Sequence, residues 1–209
     1  MHPFSQFGVC TVYEASGRRG LIEVPLIQLL PGTHAAGPAR TVHCGQDDHL
    51  MVHAVMEQLE PGEILVLTMP EPRPVALMGD LMVYQARRRQ AAGILVDAAV
   101  RDVDEIRALG VPVWTRFISA RAAGKNIVGA IGEPVVVGGA AIRQGDIVVL
   151  DTDGAVVVPA GEAAQVLVAC RQREARDAAI LRQLEQGALT YDLHELRPLV
   201  EAKTTPPAK

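Results

Sequence analysis

The sequence predicts an α/β fold with a central mixed sheet and flanking helices. In the middle of the chain, the apolar runs EILVLTM, GILVDA and VPVWTR alternate with stretches of helical character. Further on, EPVVVGG, DIVVL and AVVVPA follow one another with no helical stretch between them. The alternation favours parallel strands over about residues 62–117, and the later cluster favours antiparallel strands over 133–158.

The N-terminal third predicts a short helix, a strand and a second helix. GVCTVYEASGRRG begins with an apolar run and predicts a helix that ends at Gly17 or Gly20, while ARTVHCG predicts a short strand. Asp47 or Asp48 is a suitable N-cap for a helix that runs to about Leu59, where PGE interrupts it.

The central segments predict two helices between strands that are buried on both faces. EILVLTM and GILVDA are nearly continuous apolar runs, which is typical of strands covered from both sides. A helix is expected from Leu81 to Gln90, with Gly93 ending it. VDEIRAL then predicts a short helix that Gly110 terminates, and VPVWTR predicts the next strand.

The C-terminal part predicts a hairpin followed by helices. Asp153-Gly154 is a hairpin turn signal between DIVVL and AVVVPA. Gly161 to Gln186 predicts a long helix with charges on one face, and a final short helix is expected over about residues 192–202. We expect residues 1–202 to form a single domain and KTTPPAK, residues 203–209, to be a disordered tail.

Composition narrows the class of protein. The 209 residues are 49% hydrophobic but only 3% aromatic, so the core is expected to be aliphatic, and the net charge of −4 argues against nucleic acid as the main partner. Neither a signal peptide nor a run long enough to span a membrane is evident. Three well-separated cysteines do not suggest a disulfide framework, so a reducing cytoplasm is the expected location.

One Gly-Asp pair and one Arg-Asp pair point to a ligand site. Gly79-Asp80 opens the helix after EPRPVALM, and Arg101-Asp102 comes directly after GILVDAAV. In open parallel sheets, ligands bind beyond the carboxyl ends of the strands. Gly79 also lets a ligand approach the backbone, because glycine has no side chain.

The first function that these residues suggest is binding of a small carboxylate. The free amides of Leu81 and Met82 at a helix N-terminus, together with the Arg101 guanidinium, are suited to clamp one anion. The alternative is that Arg101 forms an ordinary surface pair with Asp97, Asp104 or Glu105, and the sequence alone leaves that alternative open.

The second function is binding of a hard cation. Asp102 cannot help to bind an anion unless a positive charge lies between them. Mg²⁺ or Mn²⁺ takes one or two carboxylates and completes its shell with water and substrate oxygens. We therefore expect Asp102 to be a metal ligand and Asp80 to hold a water molecule nearby.

These residues resemble the signature of a known family. GDLM…GILVDAAVRDVDE is similar to the Gly–Asp/Glu–Leu–Leu…Asp–Gly–x–x–Arg–Asp–x–x–Glu/Asp pattern of the 4-hydroxy-4-methyl-2-oxoglutarate / 4-carboxy-4-hydroxy-2-oxoadipate aldolases. That group also includes the regulator of ribonuclease E activity A. TVYEASGRRGLI, GDIVVLDTDGAVVVP and GALTYDLHELRPLVEAK extend the likeness over nearly the whole chain.

The resemblance implies a swivelling β/β/α fold assembled as a homotrimer or a dimer of trimers. It implies a class II pyruvate aldolase that depends on Mg²⁺ or Mn²⁺, cleaves a 4-hydroxy-2-oxo diacid and also decarboxylates oxaloacetate. A non-catalytic protein-binding regulator of ribonuclease activity is the alternative within the same group.

The resemblance also assigns roles to individual residues. The amides of Leu81 and Met82 with Arg101 would hold the pyruvyl carboxylate, Asp102 would bind the metal, and Asp80 would orient the water that donates a proton.

Two further acidic residues receive roles from the same resemblance. Glu14 would line the site, and Asp177, or Glu174 as the alternative, would reach over from a neighbouring subunit. The group that takes the substrate hydroxyl proton stays open, with a metal-bound hydroxide helped by Glu14 or Asp177 as one candidate. Ala98 replaces the usual Gly of the signature and adds a methyl group near the site.

Other candidate sites are weaker. A Schiff-base aldolase needs a desolvated lysine, and of three lysines only Lys125 lies outside the C-terminal end, in a polar loop. His49 and His53 share a helix face but lack an identifiable third metal ligand, so solvent-facing or interface positions are expected. Cys44 is expected to be a buried thiol.

Overall fold

The computed structural model describes the backbone of residues 2–204 and the side chains of residues 2–201. The chain divides into two compact units, Met1–Ala169 and Cys170–Lys209. Residues 205–209, which form most of the predicted disordered tail, lie outside the described residues. The expectation of one domain over residues 1–202 stays a prediction.

The helices and strands follow the predicted alternation. The helices are α1 (Val9–Ala15), α2 (Leu50–Val55), α3 (Asp80–Arg88), α4 (Val103–Leu109), α5 (Ala163–Glu185), α6 (Thr190–Leu193) and α7 (Arg197–Thr204). The strands are β1 (Ile27–Gln28), β2 (Ala35–His43), β3 (Ile64–Thr68), β4 (Ala76–Met78), β5 (Gly93–Val100), β6 (Val113–Ile118), β7 (Ala130–Ile131), β8 (Val135–Val137), β9 (Ala140–Ile142), β10 (Ile147–Asp151) and β11 (Gly154–Val158). Two 3₁₀ turns cover Pro3–Gln6 and Ala160–Glu162.

One large mixed sheet organises the first unit. Its order is β1-β6-β5-β3-β2-β10-β11, with β4 paired to β5 and β7 paired to β2. The pairings β2–β3, β3–β5, β5–β6 and β4–β5 are parallel, whereas β2–β10 and β10–β11 are antiparallel. The predicted change from parallel to antiparallel pairing is therefore confirmed.

The two faces of the sheet carry two separate cores. In β3, Leu65 and Leu67 belong to the cluster that includes residues of α2, α3 and α4. Ile64 and Val66 point the other way, into a cluster with the small sheet formed by β8 and β9. Because successive side chains alternate across a strand, a wholly apolar strand serves both faces. The result is a helical layer, a sheet and a second β layer, which confirms the predicted α/β class with flanking helices.

Some element boundaries differ from the predictions. Helix α3 ends at Arg88, and Gln90 with a φ of 61° makes the turn, so Gly93 is the first residue of β5 and not the end of the helix. Helix α2 ends at Val55, well before Leu59. Strand β2 is longer than ARTVHCG because it also pairs with β10 through its first half.

The second unit is helical where the structure describes it. It contains the greater part of α5, then α6 and α7, so the single final helix expected over 192–202 is two short helices. Arg197 pairs with Asp192 at 2.6 Å and its guanidinium lies 4.6 Å from the centre of the Tyr191 ring. Among the described residues, none of the helices is both long and apolar enough for a bilayer span.

Candidate functional site

The candidate site lies where β4 and β5 end side by side. The two strands are parallel, and Met78 pairs with Val100 in their register. The Arg101 amide donates to the Met78 carbonyl oxygen at 3.1 Å. Gly79 and Arg101 are therefore neighbours at one edge of the sheet, although a helix and a strand separate them in sequence.

Gly79 is the point of closest approach in this site. A Cβ atom on Gly79 would lie 2.5 Å from Oδ2 of Asp102 and 3.2 Å from Nε of Arg101. The φ of Gly79 is −131°, an ordinary extended value, so its backbone conformation does not require glycine. The requirement is space, because the Arg101 and Asp102 side chains occupy the volume that a methyl group would fill.

Asp102 is held over the start of α3. Its φ and ψ of 59° and 46° are left-handed, a conformation that Asp tolerates better than most residues. Oδ2 lies 3.3 Å from Nε of Arg101 and accepts a hydrogen bond of 3.4 Å from the Asp80 amide. About a third of the side chain stays exposed, which leaves the carboxylate accessible to a ligand.

The alternative surface pairs for Arg101 are not observed among the described residues. Asp97 pairs with Arg116 at 3.0 Å, and Asp104 pairs with Arg107 at 3.2 Å. Arg101 instead pairs with its neighbour Asp102, and 45% of its side chain is exposed. Its guanidinium is therefore available to a second anion.

The N-terminus of α3 supplies amides as well. Gly79 is the N-cap, and because glycine has no side chain it cannot cap the first amides of the helix. The Met82 amide donates to the Gly79 carbonyl oxygen at 3.2 Å, a long hydrogen bond, so it is partly engaged. The amide of Leu81, the second helical residue, has no acceptor within the helix.

A cavity of about 160 Å³ opens at this helix start. Gly79, Asp80, Leu81, Met82 and Arg101 all line it. Asp102 is not one of the lining residues, but it contacts two of them, the Arg101 side chain and the Asp80 amide. Pockets for drug-sized molecules measure roughly 300 Å³ or more, so this one suits a smaller ligand.

Three further residues, which the sequence did not place in this cavity, also line it: His49, His53 and Lys125. Of the expected solvent-facing or interface positions, His49 at 9% exposure is not solvent-facing, whereas His53 is exposed; an interface position stays a prediction. In the sequence, only the spacing of four residues between the histidines hinted that they lie together. What holds His49 in place is the Leu77 carbonyl oxygen, 3.1 Å from its Nδ1, and this tertiary contact cannot be read from the sequence. Lys125 is exposed in its loop, in agreement with the expected polar setting.

Asp48 fixes the loop of Lys125 against the start of α2. Its buried carboxylate accepts hydrogen bonds from the amides of Asn126 at 2.6 Å and Leu50 at 2.9 Å. Burial by itself would raise the pKa of Asp48, but the amides of Asn126, Leu50 and Ile127 outweigh it and lower the pKa. The N-cap of α2 is His49, so the prediction that Asp47 or Asp48 is the N-cap is wrong; Asp48, one residue earlier, accepts instead from the Leu50 amide.

The remaining predicted acidic residues lie elsewhere. Glu14 is in α1 and pairs with Arg18 at 3.2 Å, and it does not line the cavity of a single chain. Asp177 lies in α5 within the second unit and pairs with Arg173 at 3.7 Å. Glu174 is on the same helix. The roles suggested for these residues stay predictions.

Cys44 is a buried thiol, as predicted. It is 1% exposed, and burial raises the pKa of the thiol to about 12, with a smaller contribution from the Asp48 carboxylate. Such a thiol does not ionise at neutral pH, so Cys44 is a packing residue and not a nucleophile.

Comparison with known sequences identifies the family of the chain. The model of the RraA-like family, described as Aldolase/RraA, matches residues 9–157. A protein of Halalkalibacterium halodurans, provisionally named 4-hydroxy-4-methyl-2-oxoglutarate aldolase, is 34% identical over 153 residues, which are 73% of each chain.

Comparison with solved structures agrees with this result. Streptomyces coelicolor RraAS2, described as an unusual member of the RNase ES inhibitor RraA protein family, is 28% identical with a TM-score of 0.69, covering 88% of this chain and 93% of its own. An uncharacterized protein of Pseudomonas syringae pv. tomato shares the fold, with a TM-score of 0.82 at 24% identity and coverage of 93% and 92%. The chain therefore belongs to the RraA-like family, Aldolase/RraA.

Proposed function

We propose that the protein is a divalent-metal-dependent class II pyruvate aldolase. It cleaves a 4-hydroxy-2-oxo diacid to pyruvate and a second carbonyl compound, and it decarboxylates oxaloacetate as a side reaction. The observation that carries this proposal is the contact of the Gly79 turn with both Arg101 and Asp102 beside a small cavity. The name of the Halalkalibacterium relative supports the same chemistry.

Arg101 and the α3 N-terminus bind the pyruvyl carboxylate in this proposal. The exposed guanidinium offers a planar fork that matches a carboxylate. The Leu81 amide and the shared Met82 amide add hydrogen bonds at the positive end of the helix dipole. Gly79 keeps the approach to these donors open.

The acidic residues at this edge fit a hard cation. Asp102 and Asp80 provide two carboxylates as oxygen donors. Among the described side chains, no group of three or more His, Cys, Asp or Glu residues is placed to hold a metal ion. That donor set suits Mg²⁺ or Mn²⁺, which accept one or two carboxylates and take substrate and water oxygens for the rest. A cation held at Asp102 supplies Lewis-acid stabilisation of the charge that develops on the pyruvyl oxygens.

Asp80 handles the proton in the second half of the reaction. It lines the cavity at the first position of α3, where its carboxylate can orient a water molecule toward the enolate carbon of pyruvate. Glu14 and Asp177, or Glu174 in its place, are proposed to act in a homotrimer or a dimer of trimers, with the second group supplied by a neighbouring subunit.

A second candidate function has its own support. The similarity to RraAS2, described as a member of an RNase inhibitor family, favours a non-catalytic protein-binding regulator. A regulator has no need for two carboxylates and a guanidinium beside one cavity. We therefore rank the aldolase first.

Pyruvate release tests the proposal. Oxaloacetate and a 4-hydroxy-2-oxo diacid are supplied with Mg²⁺, with Mn²⁺ and with EDTA. We expect turnover that EDTA abolishes, loss of metal stimulation in Asp102→Ala, and in Arg101→Ala chiefly a higher KM. Asp104→Ala is the matched control, because Asp104 is an exposed carboxylate on α4 whose partner is Arg107.

Two results would count against the aldolase. Absence of turnover on both substrates, with binding to a ribonuclease instead, would favour the regulator. Turnover that survives EDTA would show that the carbon–carbon bond breaks without a metal, and Lys125 would then become the group to test.

A further inference from the structure

His49 is a buried ring at the wall of the cavity with one nitrogen unused. It immediately precedes α2, is 9% exposed, and lines the same cavity as Asp80 and Arg101. Nε2 of this ring is buried and makes no hydrogen bond with any described residue. Buried polar atoms without a partner are rare in folded proteins, so this one calls for an explanation.

The hydrogen bond of the other nitrogen fixes the tautomer. Nδ1 lies 3.1 Å from the carbonyl oxygen of Leu77. A carbonyl oxygen only accepts, so Nδ1 carries the hydrogen and donates it. In the neutral ring, Nε2 therefore holds a free lone pair and is a hydrogen-bond acceptor.

The surroundings keep this ring neutral and oriented. Burial lowers the pKa of His49 from 6.5, and Lys125 and Arg101 lower it further, against the opposing effects of the Leu77 carbonyl and Asp48. The ring of His53 packs edge-on against it, with centroids 5.0 Å apart. At neutral pH the ring thus keeps its buried Nε2 lone pair free of a proton.

A cation is the less suitable occupant for this nitrogen. A neutral histidine held through Nδ1 by a carbonyl also resembles a metal ligand. However, the charged groups whose effects reach His49 include two cations, Lys125 and Arg101. A lone pair in that setting favours a neutral hydroxyl group as its partner.

We propose that His49 Nε2 is the general base that takes the proton of the substrate's C4 hydroxyl; this inference rests on the aldolase function proposed above. The O–H electron pair becomes the second C4–O bond, and the C3–C4 bond breaks. Its electrons form the C2–C3 double bond, and the C2 carbonyl becomes the enolate oxygen. His49 leaves the step as imidazolium and returns the proton to solvent after the carbonyl product departs.

The two reactions of the proposed enzyme separate this role from a structural one. Oxaloacetate has no C4 hydroxyl, and it reaches the same enolate by losing CO₂. A base for the hydroxyl is therefore needed for carbon–carbon cleavage of the 4-hydroxy acid and is not needed for decarboxylation.

The experiment compares both activities in His49→Gln at saturating Mg²⁺. We expect kcat for cleavage to fall by about 10²-fold or more, the range for loss of a general base, while decarboxylation stays within about threefold of the unmodified chain. Retained decarboxylation also shows that the variant is folded. His43→Gln is the control, because His43 lies on β2 outside this cavity and contacts Thr68, and it should change neither activity.

The pH profile is the second readout. The basic form is required, so cleavage by the unmodified chain should decline as the pH falls below the ordinary histidine value of 6.5, and His49→Gln should lose that decline. The groups that influence His49 are His53, Asp48, Lys125 and Arg101, and all of them remain in the variant.

The possible failures are distinguishable. If the unmodified chain turns over neither substrate, the aldolase function falls and this role falls with it. If the unmodified chain is active but His49→Gln lowers both reactions equally, or lowers neither, the aldolase stands and His49 is not its base.

Discussion

At the scale of single residues, the site depends on a missing methyl group at Gly79. Its backbone is extended and would accept any residue, yet Asp102 and Arg101 fill the space beside it. Because Gly79 is required only for space, its presence indicates that this turn packs against the distant segment that carries Arg101 and Asp102. Asp102 itself adopts a left-handed conformation to reach that contact.

Gly79→Ala tests this packing. The new Cβ would push the Asp102 carboxylate and the Arg101 guanidinium away, and a displacement of about 1 Å is enough to reduce catalysis about 10²-fold. We expect kcat/KM for oxaloacetate to fall by about that factor while circular dichroism stays unchanged. Gly161→Ala is the control, because apart from the residues adjoining it in the chain, no atom of the described residues lies within 4 Å of its added Cβ. Full activity in Gly79→Ala would refute the contact.

Asp97, the first aspartate of the family signature GILVDAAVRD, forms a buried ion pair that contributes to the stability of the fold. Burial raises the pKa of its carboxyl, and the Arg116 guanidinium at 3.0 Å opposes that effect. Arg116→Met would leave a buried carboxylate without its partner. We expect a loss of about 3 kcal/mol at pH 7, at the low end for a buried pair because Arg116 is partly exposed.

The pH dependence of this loss has a definite sign. A carboxyl whose folded pKa is raised carries no penalty below its unfolded pKa of about 3.9, and the penalty grows as the pH rises through the folded value. The stability difference between Arg116→Met and the unmodified chain should therefore shrink toward pH 4 in urea unfolding. Adding Asp97→Asn to Arg116→Met should restore part of the stability at pH 7; no recovery would show that charge burial is not the cause.

At the scale of elements, the register between β4 and β5 assembles the site. Gly79 follows one strand and Arg101 follows the other, and parallel pairing brings both strand ends to one edge. The sequence predicts β5 clearly, because GILVDA is a continuous apolar run. It does not reveal β4, since three residues after a proline-rich turn are too few to show a period.

The candidate site was predictable to the extent that it is local in sequence. Arg101 and Asp102 stand directly after a strand, and Gly79 stands directly before a helix, so general rules of α/β sheets point to them. His49 was not predictable, because its role depends on the Leu77 carbonyl and on burial by residues far along the chain. The sequence leaves the pairing of Arg101 open for the same reason.

Asp48 joins the start of α2 to the loop that carries Lys125, and this makes a prediction for stability. Asp48→Ala removes the buried carboxylate that accepts from the partly buried amides of Asn126 and Leu50, at a cost of about 2 kcal/mol. The folded pKa of Asp48 is lowered, so its stabilisation is present above the ordinary value of 3.8 and is lost as the pH falls below it. The stability difference from the unmodified chain in chemical unfolding should be full at pH 7 and smaller near pH 3.

The matched control for Asp48→Ala is Asp47→Asn. Asp47 forms an exposed pair with Arg73 at 3.3 Å and has a φ of 54°, which Asn tolerates. Its loss should cost less than about 0.5 kcal/mol. A cost equal to that of Asp48→Ala would show that the hydrogen bonds to the Asn126 and Leu50 amides are not the cause.

At the scale of the whole molecule, one apolar sheet supports two cores and leaves the site at its edge. Several large apolar side chains remain exposed around the chain, among them Leu81 at 74% and Val128 at 78%. The proposed homotrimer or dimer of trimers would cover part of this surface and bring an acidic residue from a neighbour.

Light scattering coupled to size exclusion measures that assembly. We expect three or six times the mass of one chain at micromolar concentration. Active protein that elutes as a monomer would contradict a site completed by Asp177 or Glu174 of a neighbouring subunit.

The central claim is that an amide-rich helix start, Arg101 and a cation at Asp102 meet on a single 2-oxo acid. Crystals soaked with Mn²⁺ and oxalate, which imitates the planar oxo-acid end of pyruvate enolate, test it most directly. We predict an anomalous peak for Mn²⁺ next to the Asp102 carboxylate, with oxalate between the metal and the Arg101 guanidinium above Gly79. Manganese bound elsewhere, or oxalate bound away from Arg101, would contradict it.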